Sequence, residues 1–186
     1  LQQAGLPMKG LAVRYSSEIP IGAGLSSSAA VQVGFALAWQ TAGEWDIPKM
    51  ELVKLCQKAE NEYVGVKSGL MDQFACAFGV AGHAMALDTR SLAWQTLSLP
   101  KDVAIVITDS GVRRSLASST YNSLRADCQE AVECLRAWCS SLNSLRDVTP
   151  EFLQAHLAKL PARVANRALH VVGGMARVEQ AIGCIS

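Results

Sequence analysis

A fold mixing helices and strands is predicted by three features of the 186-residue sequence. Gly10 to Ser16 alternates apolar and polar side chains, with Leu11, Val13 and Tyr15 on one side, which is the period of a half-buried strand. From Ser28 onward Ala29, Ala30, Val33, Leu37 and Ala38 recur at helical steps as far as Gly43. Val103-Ala104-Ile105-Val106-Ile107 is an unbroken apolar run that suits a buried strand.

The remaining elements follow in chain order. A second helix is predicted from Pro48 to about Val64, with Pro48 in its first turn, Leu52, Leu55, Cys56 and Ala59 on one face, and Glu60 and Glu62 near its end. A glycine-containing turn, Gly65 to Gly69, leads to a short helix from Leu70 to Phe78 with Asp72 in its first turn. Strands are predicted at His83 to Asp88 and Ala93 to Leu97. Pro100-Lys101-Asp102 then punctuates the chain, and a domain boundary is placed near residue 100. Beyond it Tyr121, Leu124, Cys128, Ala131, Val132, Leu135 and Trp138 form a helical stripe after the cap candidates Ser118 and Ser119. Thr149-Pro150-Glu151 opens another helix, since Thr caps, Pro fits the first turn and an acid favours the positive end of the dipole.

Composition excludes several functions. Seventeen Lys and Arg against sixteen Asp and Glu leave a net charge of +1, and no cluster of four basic residues occurs, so no nucleic-acid partner is expected. The longest apolar run, Ala29 to Trp39, is interrupted by Gln32 and Gly34 and is shorter than the ~20 residues that span a bilayer, so no membrane partner is expected either. The first residues show no secretory leader. Six irregularly spaced cysteines without a Cys-x-x-Cys pair read as reduced thiols of a cytoplasmic protein. The three histidines lack ligand spacing, and no zinc is expected.

The chemistry gathers around Pro20-Ile21-Gly22-Ala23-Gly24-Leu25-Ser26-Ser27-Ser28, between the first strand and the first helix. Glycines let the backbone approach an anion closely, and a helix N-terminus presents free N–H groups and positive potential. Serine hydroxyls add ligands for phosphate or a metal ion. The loop lacks the Gly-Lys-Ser/Thr ending of a Walker A motif, and Ser27 stands where a dinucleotide fingerprint needs its third glycine. The competing reading is a small-residue helix start with a serine cap. Phosphoryl transfer also requires a carboxylate for Mg²⁺ and a group that orients or deprotonates the attacking hydroxyl, and Glu60 and Asp72 are the candidates. Composition alone leaves both a second reading, Glu60 as a solvated helix residue and Asp72 as a stabiliser of a helix start.

The block Ile19-Pro20-Ile21-Gly22-Ala23-Gly24-Leu25-Ser26-Ser27-Ser28-Ala29-Ala30 resembles the second signature motif of the GHMP kinases. Ala59-Glu60-Asn61-Glu62-Tyr63-Val64-Gly65-Val66, Gly69-Leu70-Met71-Asp72-Gln73-Phe74 and Ser119-Thr120-Tyr121-Asn122 with Arg125 and Cys128 resemble the galactokinase branch of that family. The resemblance implies an α+β, GHMP kinase-like two-domain fold. Residues 1–99 would be part of the N-terminal domain and 100–186 the start of the C-terminal one, with the ATP and sugar sites in the cleft between. It also implies that Gly22, Ala23, Gly24, Leu25, Ser26, Ser27 and Ser28 wrap the phosphates of ATP. Ser28 and Glu60 would hold Mg²⁺, Asp72 would accept the proton of the sugar's anomeric hydroxyl, and Gly69 and Tyr121 would help seat the sugar.

The implied activity is ATP-dependent formation of galactose 1-phosphate. Sister kinases acting on N-acetylgalactosamine, arabinose, mevalonate or homoserine are the alternatives, as is a regulator that senses sugar and ATP without turnover. The family's Arg-Val-Asn-Leu-Ile-Gly-Glu-His-Thr-Asp-Tyr-like segment and its Gly-Gly-Gly-Phe-Gly-Gly motif have no counterpart here. The chain is therefore expected to be an internal part of a family member, incomplete in fold and inactive alone. Gly173 and Gly174 replace polar residues, often Glu, of a family helix, at about 1 kcal/mol each relative to Ala, which predicts a kink or a loosened helix.

Overall fold

A computed structural model of the chain describes residues 1–109, 111 and 120–185. The chain divides into two compact units, Leu1–Ser118 and Ser119–Ser186.

In the first unit α1 (Ser27–Gly43), α2 (Lys49–Ala59) and α3 (Met71–Phe78) pack on one another beside a two-stranded antiparallel hairpin. β1 (His83–Leu87) pairs with β2 (Trp94–Ser98), His83 opposite Ser98 and Leu87 opposite Trp94. The Asp88 carboxylate accepts hydrogen bonds from the backbone N–H groups of Arg90 and Ser91, which turns the chain between the strands. Phe74 and Phe78 stack at 4.6 Å, and Trp94 meets their rings at 5.7 and 5.2 Å, so the hairpin is pinned to α3 by aromatic contacts.

The buried faces differ in part from those the pattern predicts. On α1 the core residues are Ala29, Val33 and Ala36, while Leu37 is exposed. On α2 they are Leu52, Val53 and Cys56, with Ala59 exposed. Val33, Ala36, Leu52 and Cys56 form one small cluster; Val53, Leu70 and Phe74 form a second. After Ala59 the helix widens into one π turn, Glu60–Val64, closed by a bond from the Gly65 N–H to the Glu60 carbonyl at 3.1 Å. Gly65 takes φ +81°, which glycine adopts without strain.

Two predicted strands are not formed. Gly10 to Ser16 and Val103 to Ile107 carry no strand assignment and are exposed. The only sheet among the described residues is the β1–β2 hairpin, so neither segment has a ladder to join. The first lies instead along α1: Trp39 Nε1 donates to the Lys9 carbonyl, Trp45 Nε1 donates to the Pro7 carbonyl, and Tyr15 meets Phe35 edge-on. A Cβ on Gly43 would collide with the Trp45 indole, so that clamp needs glycine there.

The second unit is helical: α4 (Thr120–Leu135), α5 (Pro150–His156) and α6 (Ala162–Ile185) enclose a core of Ala131, Val132, Leu135, Leu153, Val164 and their neighbours. The cap candidates Ser118 and Ser119 lie outside the described residues. Thr149 caps α5 as predicted, its hydroxyl accepting from the Phe152 N–H at 3.2 Å with Pro150 in the first turn. The helix assignment of α6 runs through Gly173 and Gly174 without a break, contrary to the expected loosening. The Arg177 guanidinium covers them, Nη1 lying 3.3 Å from where a Gly173 Cβ would stand, and Ala168 and Val172 anchor the preceding turns in the core. No helix among the described residues is long and apolar enough to cross a membrane. All six cysteines are free thiols.

Candidate functional site

The loop before α1 adopts left-handed backbone at alternate residues: Gly22 at φ +73°, Gly24 at +78° and Ser26 at +56°. Left-handed residues alternating with right-handed ones are the backbone pattern of anion-binding concavities, and this loop stands at the N-terminal, positive end of a 17-residue helix. Two of the three positions are glycine, for which the conformation is free. Ser26 is not, and holding it there costs of order 1–3 kcal/mol, a strain found mostly where backbone meets ligand. The Ser26 side chain makes no capping hydrogen bond, so a plain serine cap is not what the helix start uses.

Ser28, in the first turn of α1, and Glu60, first residue of the π turn, are brought together from 32 positions apart. The Ser28 hydroxyl lies 3.4 Å from Glu60 Oε1. Glu60 is only 4% exposed, which removes its reading as a solvated helix residue. Its other oxygen, Oε2, accepts from the Ser68 hydroxyl at 2.6 Å and from Gln73 Nε2 at 2.8 Å. Gln73 is fully buried and its amide also donates to Gln32 Oε1 at 3.2 Å.

Asp72 stands beside Gln73 in the first turn of α3, half-buried. Among the described residues its carboxylate has no hydrogen-bond or ion-pair partner and so remains available as an acceptor. Burial, and next the Asp72 charge, push the thiol of Cys76 up from its ordinary range. Gly69 is exposed, with no heavy atom within 4 Å of where its Cβ would be. Tyr121 is half exposed on α4 and belongs to the second unit. A depression of about 390 Å³ lined by Leu37, Gln40, Asp46 and Leu52 contains none of the predicted site residues.

Ser68 and Gln73 were not among the residues that sequence reasoning assigned to the site. The signal for Gln73 is nonetheless in the pattern. Leu70, Gln73, Phe74 and Ala77 occupy the i, i+3, i+4, i+7 positions of one helical face, and a lone amide on an apolar stripe must find a buried partner. Ser68 carries no comparable signal, because its turn has no periodicity.

Among the described residues no group of three or more His, Cys, Asp or Glu side chains is arranged to hold a metal ion. Ser28 and Glu60 nevertheless fit a Mg²⁺ ion that completes its shell with phosphate and water. Neighbouring ligands of such an ion at 2.0–2.1 Å are about 2.9 Å apart, so their 3.4 Å separation needs to close only slightly.

The glycine- and serine-rich loop, the Ser28–Glu60 pair and Asp72 all belong to the first unit. Residues 1–80 match the family described as GHMP kinases N terminal domain. Along most of its length the chain is similar to galactokinases. It is 42% identical to "Galactokinase" of Roseiflexus sp. (strain RS-1) over 180 residues, which is 97% of this chain and 46% of that protein. With "Galactokinase" of Thermotoga petrophila the identity is 38% over 182 residues, 97% of this chain and 49% of the relative. The crystal structure of Lactococcus lactis galactokinase complexed with galactose superposes with a TM-score of 0.77 at 31% identity, covering 89% of this chain and 43% of that one. The chain thus spans about half the length of the relatives it matches.

Proposed function

We propose that these residues supply the phosphate loop, cation ligands and base with which a galactokinase transfers the γ-phosphoryl group of ATP to the anomeric hydroxyl of galactose. The observation that carries the reading is the meeting of the Ser28 hydroxyl and the buried Glu60 carboxylate beside a loop with left-handed backbone at residues 22, 24 and 26. Galactose as the sugar rests on the likeness to galactokinases.

Gly22 to Ser28 hold the nucleotide phosphates through backbone N–H groups and the helix dipole. Ser28 and Glu60 would hold Mg²⁺, which when bound would supply positive charge against that of the phosphoryl group in transfer. Asp72, without other partners among the described residues, accepts the proton as the sugar hydroxyl attacks, and Gly69 helps seat the sugar. In this reading residues 1–99 are part of the N-terminal kinase domain and 100–186 begin the C-terminal one. A cytoplasmic location goes with six free thiols.

The test is Glu60→Gln in a chain extended with the flanking segments of its relatives. The variant is expected to fold, because amide and carboxylate have the same shape and Oε1 of Gln still accepts, and to lose most turnover at ordinary Mg²⁺. An unchanged kcat at every Mg²⁺ concentration would remove Glu60 from the site.

A further inference from the structure

The two oxygens of Glu60 are treated very differently. Oε2 takes two short hydrogen bonds, from Ser68 Oγ at 2.6 Å and Gln73 Nε2 at 2.8 Å, whereas Oε1 has only the long 3.4 Å contact with Ser28. Each carboxylate oxygen has about two acceptor sites, so Oε2 is filled and Oε1 is largely free. We propose that Ser68 and Gln73 are positioning residues that clamp Oε2, aim Oε1 at Ser28 and make Glu60 a one-oxygen ligand for a divalent cation. The inference rests on the phosphoryl-transfer reading above and assigns the clamp within it.

The surroundings hold the clamp in one state. The Gln73 amide is fully buried and its nitrogen serves both Glu60 Oε2 and Gln32 Oε1. Turning the amide over would set its oxygen against those two acceptors, so the donor orientation is fixed by its neighbours. The consequence is a buried Gln73 Oε1 with no partner, a cost that a merely space-filling side chain would not carry. Ser68 is fixed from the backbone: its N–H donates to the Val66 carbonyl at 2.7 Å, and Gln57 Nε2 donates to its carbonyl at 3.1 Å. The carboxylate is thus held from α2, from the turn before α3 and from α3 itself. Partners of this kind orient metal ligands, and their loss typically lowers metal affinity about 10–100-fold.

The experiment uses the extended chain with Mn²⁺ as a paramagnetic probe, titrated in the presence of a non-hydrolysable ATP analogue. Ser68→Ala and Gln73→Met are expected to weaken Mn²⁺ binding about 10–100-fold, Ser68→Thr to restore it, and turnover to recover at saturating Mg²⁺. Nucleotide affinity without metal should not change. Should Gln73→Met fail to fold, Ser68→Ala decides, because Ser68 is only partly buried. Wild-type Mn²⁺ affinity in folded Ser68→Ala, while Glu60→Gln abolishes binding, overturns the clamp and leaves the site reading standing. Wild-type affinity in Glu60→Gln overturns both.

Discussion

The two compact units bury different things. In the second, twelve buried residues form one continuous apolar core, and its buried acid, Asp127, is paired with Arg163. In the first, the apolar core is split into two small clusters, and a carboxylate and an amide are buried as well. Its helix start is uncapped by side chain and carries a strained serine. Unit 2 carries a capping box at Ser144 and a threonine cap at Thr149, and its one departure among the described side chains is the buried Arg167 Nε without a partner. Unit 1 holds Ser26 at positive φ and buries Gln73 Oε1 without a partner beside Glu60, and it also holds Glu44 and Leu92 at positive φ away from those residues.

That contrast is most sharply tested at Asp72. In the extended chain Asp72→Asn keeps the shape but cannot take the proton, so kcat should fall roughly 10² to 10⁴-fold while ATP binding, proposed for Gly22 to Ser28, holds. Steady-state kinetics beside a nucleotide titration would decide. A change confined to KM for galactose would make Asp72 a sugar ligand instead, and a matched loss of ATP affinity would give it a structural part in the helix start. In unit 2 the corresponding effect is on stability alone. Leu135→Ala, at a fully buried position, should cost about 2–5 kcal/mol by thermal or urea unfolding with no direct effect on nucleotide binding by the folded protein.

A smaller effect is read through pH. Burial pushes the Cys56 thiol up from 9.0 to about 11, so the folded state resists its ionisation. The stability this contributes is complete below pH 9 and is lost as pH rises from 9 toward 11, with an upper bound of roughly 2–3 kcal/mol. Urea titrations at pH 8 and pH 10.5 should show the loss, and Cys56→Ala should reduce the pH dependence, the thiols of Cys76 and Cys128, which burial also pushes up, supplying a remainder. An identical slope in the variant would assign it to other groups. The smallest effect expected is that of Thr149→Ala, about 1 kcal/mol from the lost cap of α5, again without change in ligand binding.

How far the sequence could be read follows from the range of each interaction. α1, α3, α5 and the β1–β2 hairpin were legible because period, proline, threonine and aspartate act within a few residues. The strand patterns of Gly10 to Ser16 and Val103 to Ile107 were equally plain, but a strand exists only if another backbone lies beside it, and that partner is not a local property. The loop at Gly22 to Ser28, Glu60 and Asp72 were put forward from their residue types and the family resemblance, and of these the structure brings Ser28 and Glu60 together. The Ser68–Glu60–Gln73 network was not found, since the turn that carries Ser68 leaves no pattern, although Glu60 itself continues the buried face of α2, its N–H still bonded to the Cys56 carbonyl.

The unladdered run Val103 to Ile107 has a practical consequence for handling the protein. Val103, Ile105, Val106 and Ile107 are 61 to 83% exposed, β-branched and uncharged, which is the composition that adds itself to the strand of another molecule. At concentrations used for structural work the 186-residue chain is expected to self-associate through this segment, and Val106→Lys should act as a gatekeeper that keeps it monomeric. Light scattering of the two proteins across a concentration series measures it; equal association of both would place the adhesive surface elsewhere.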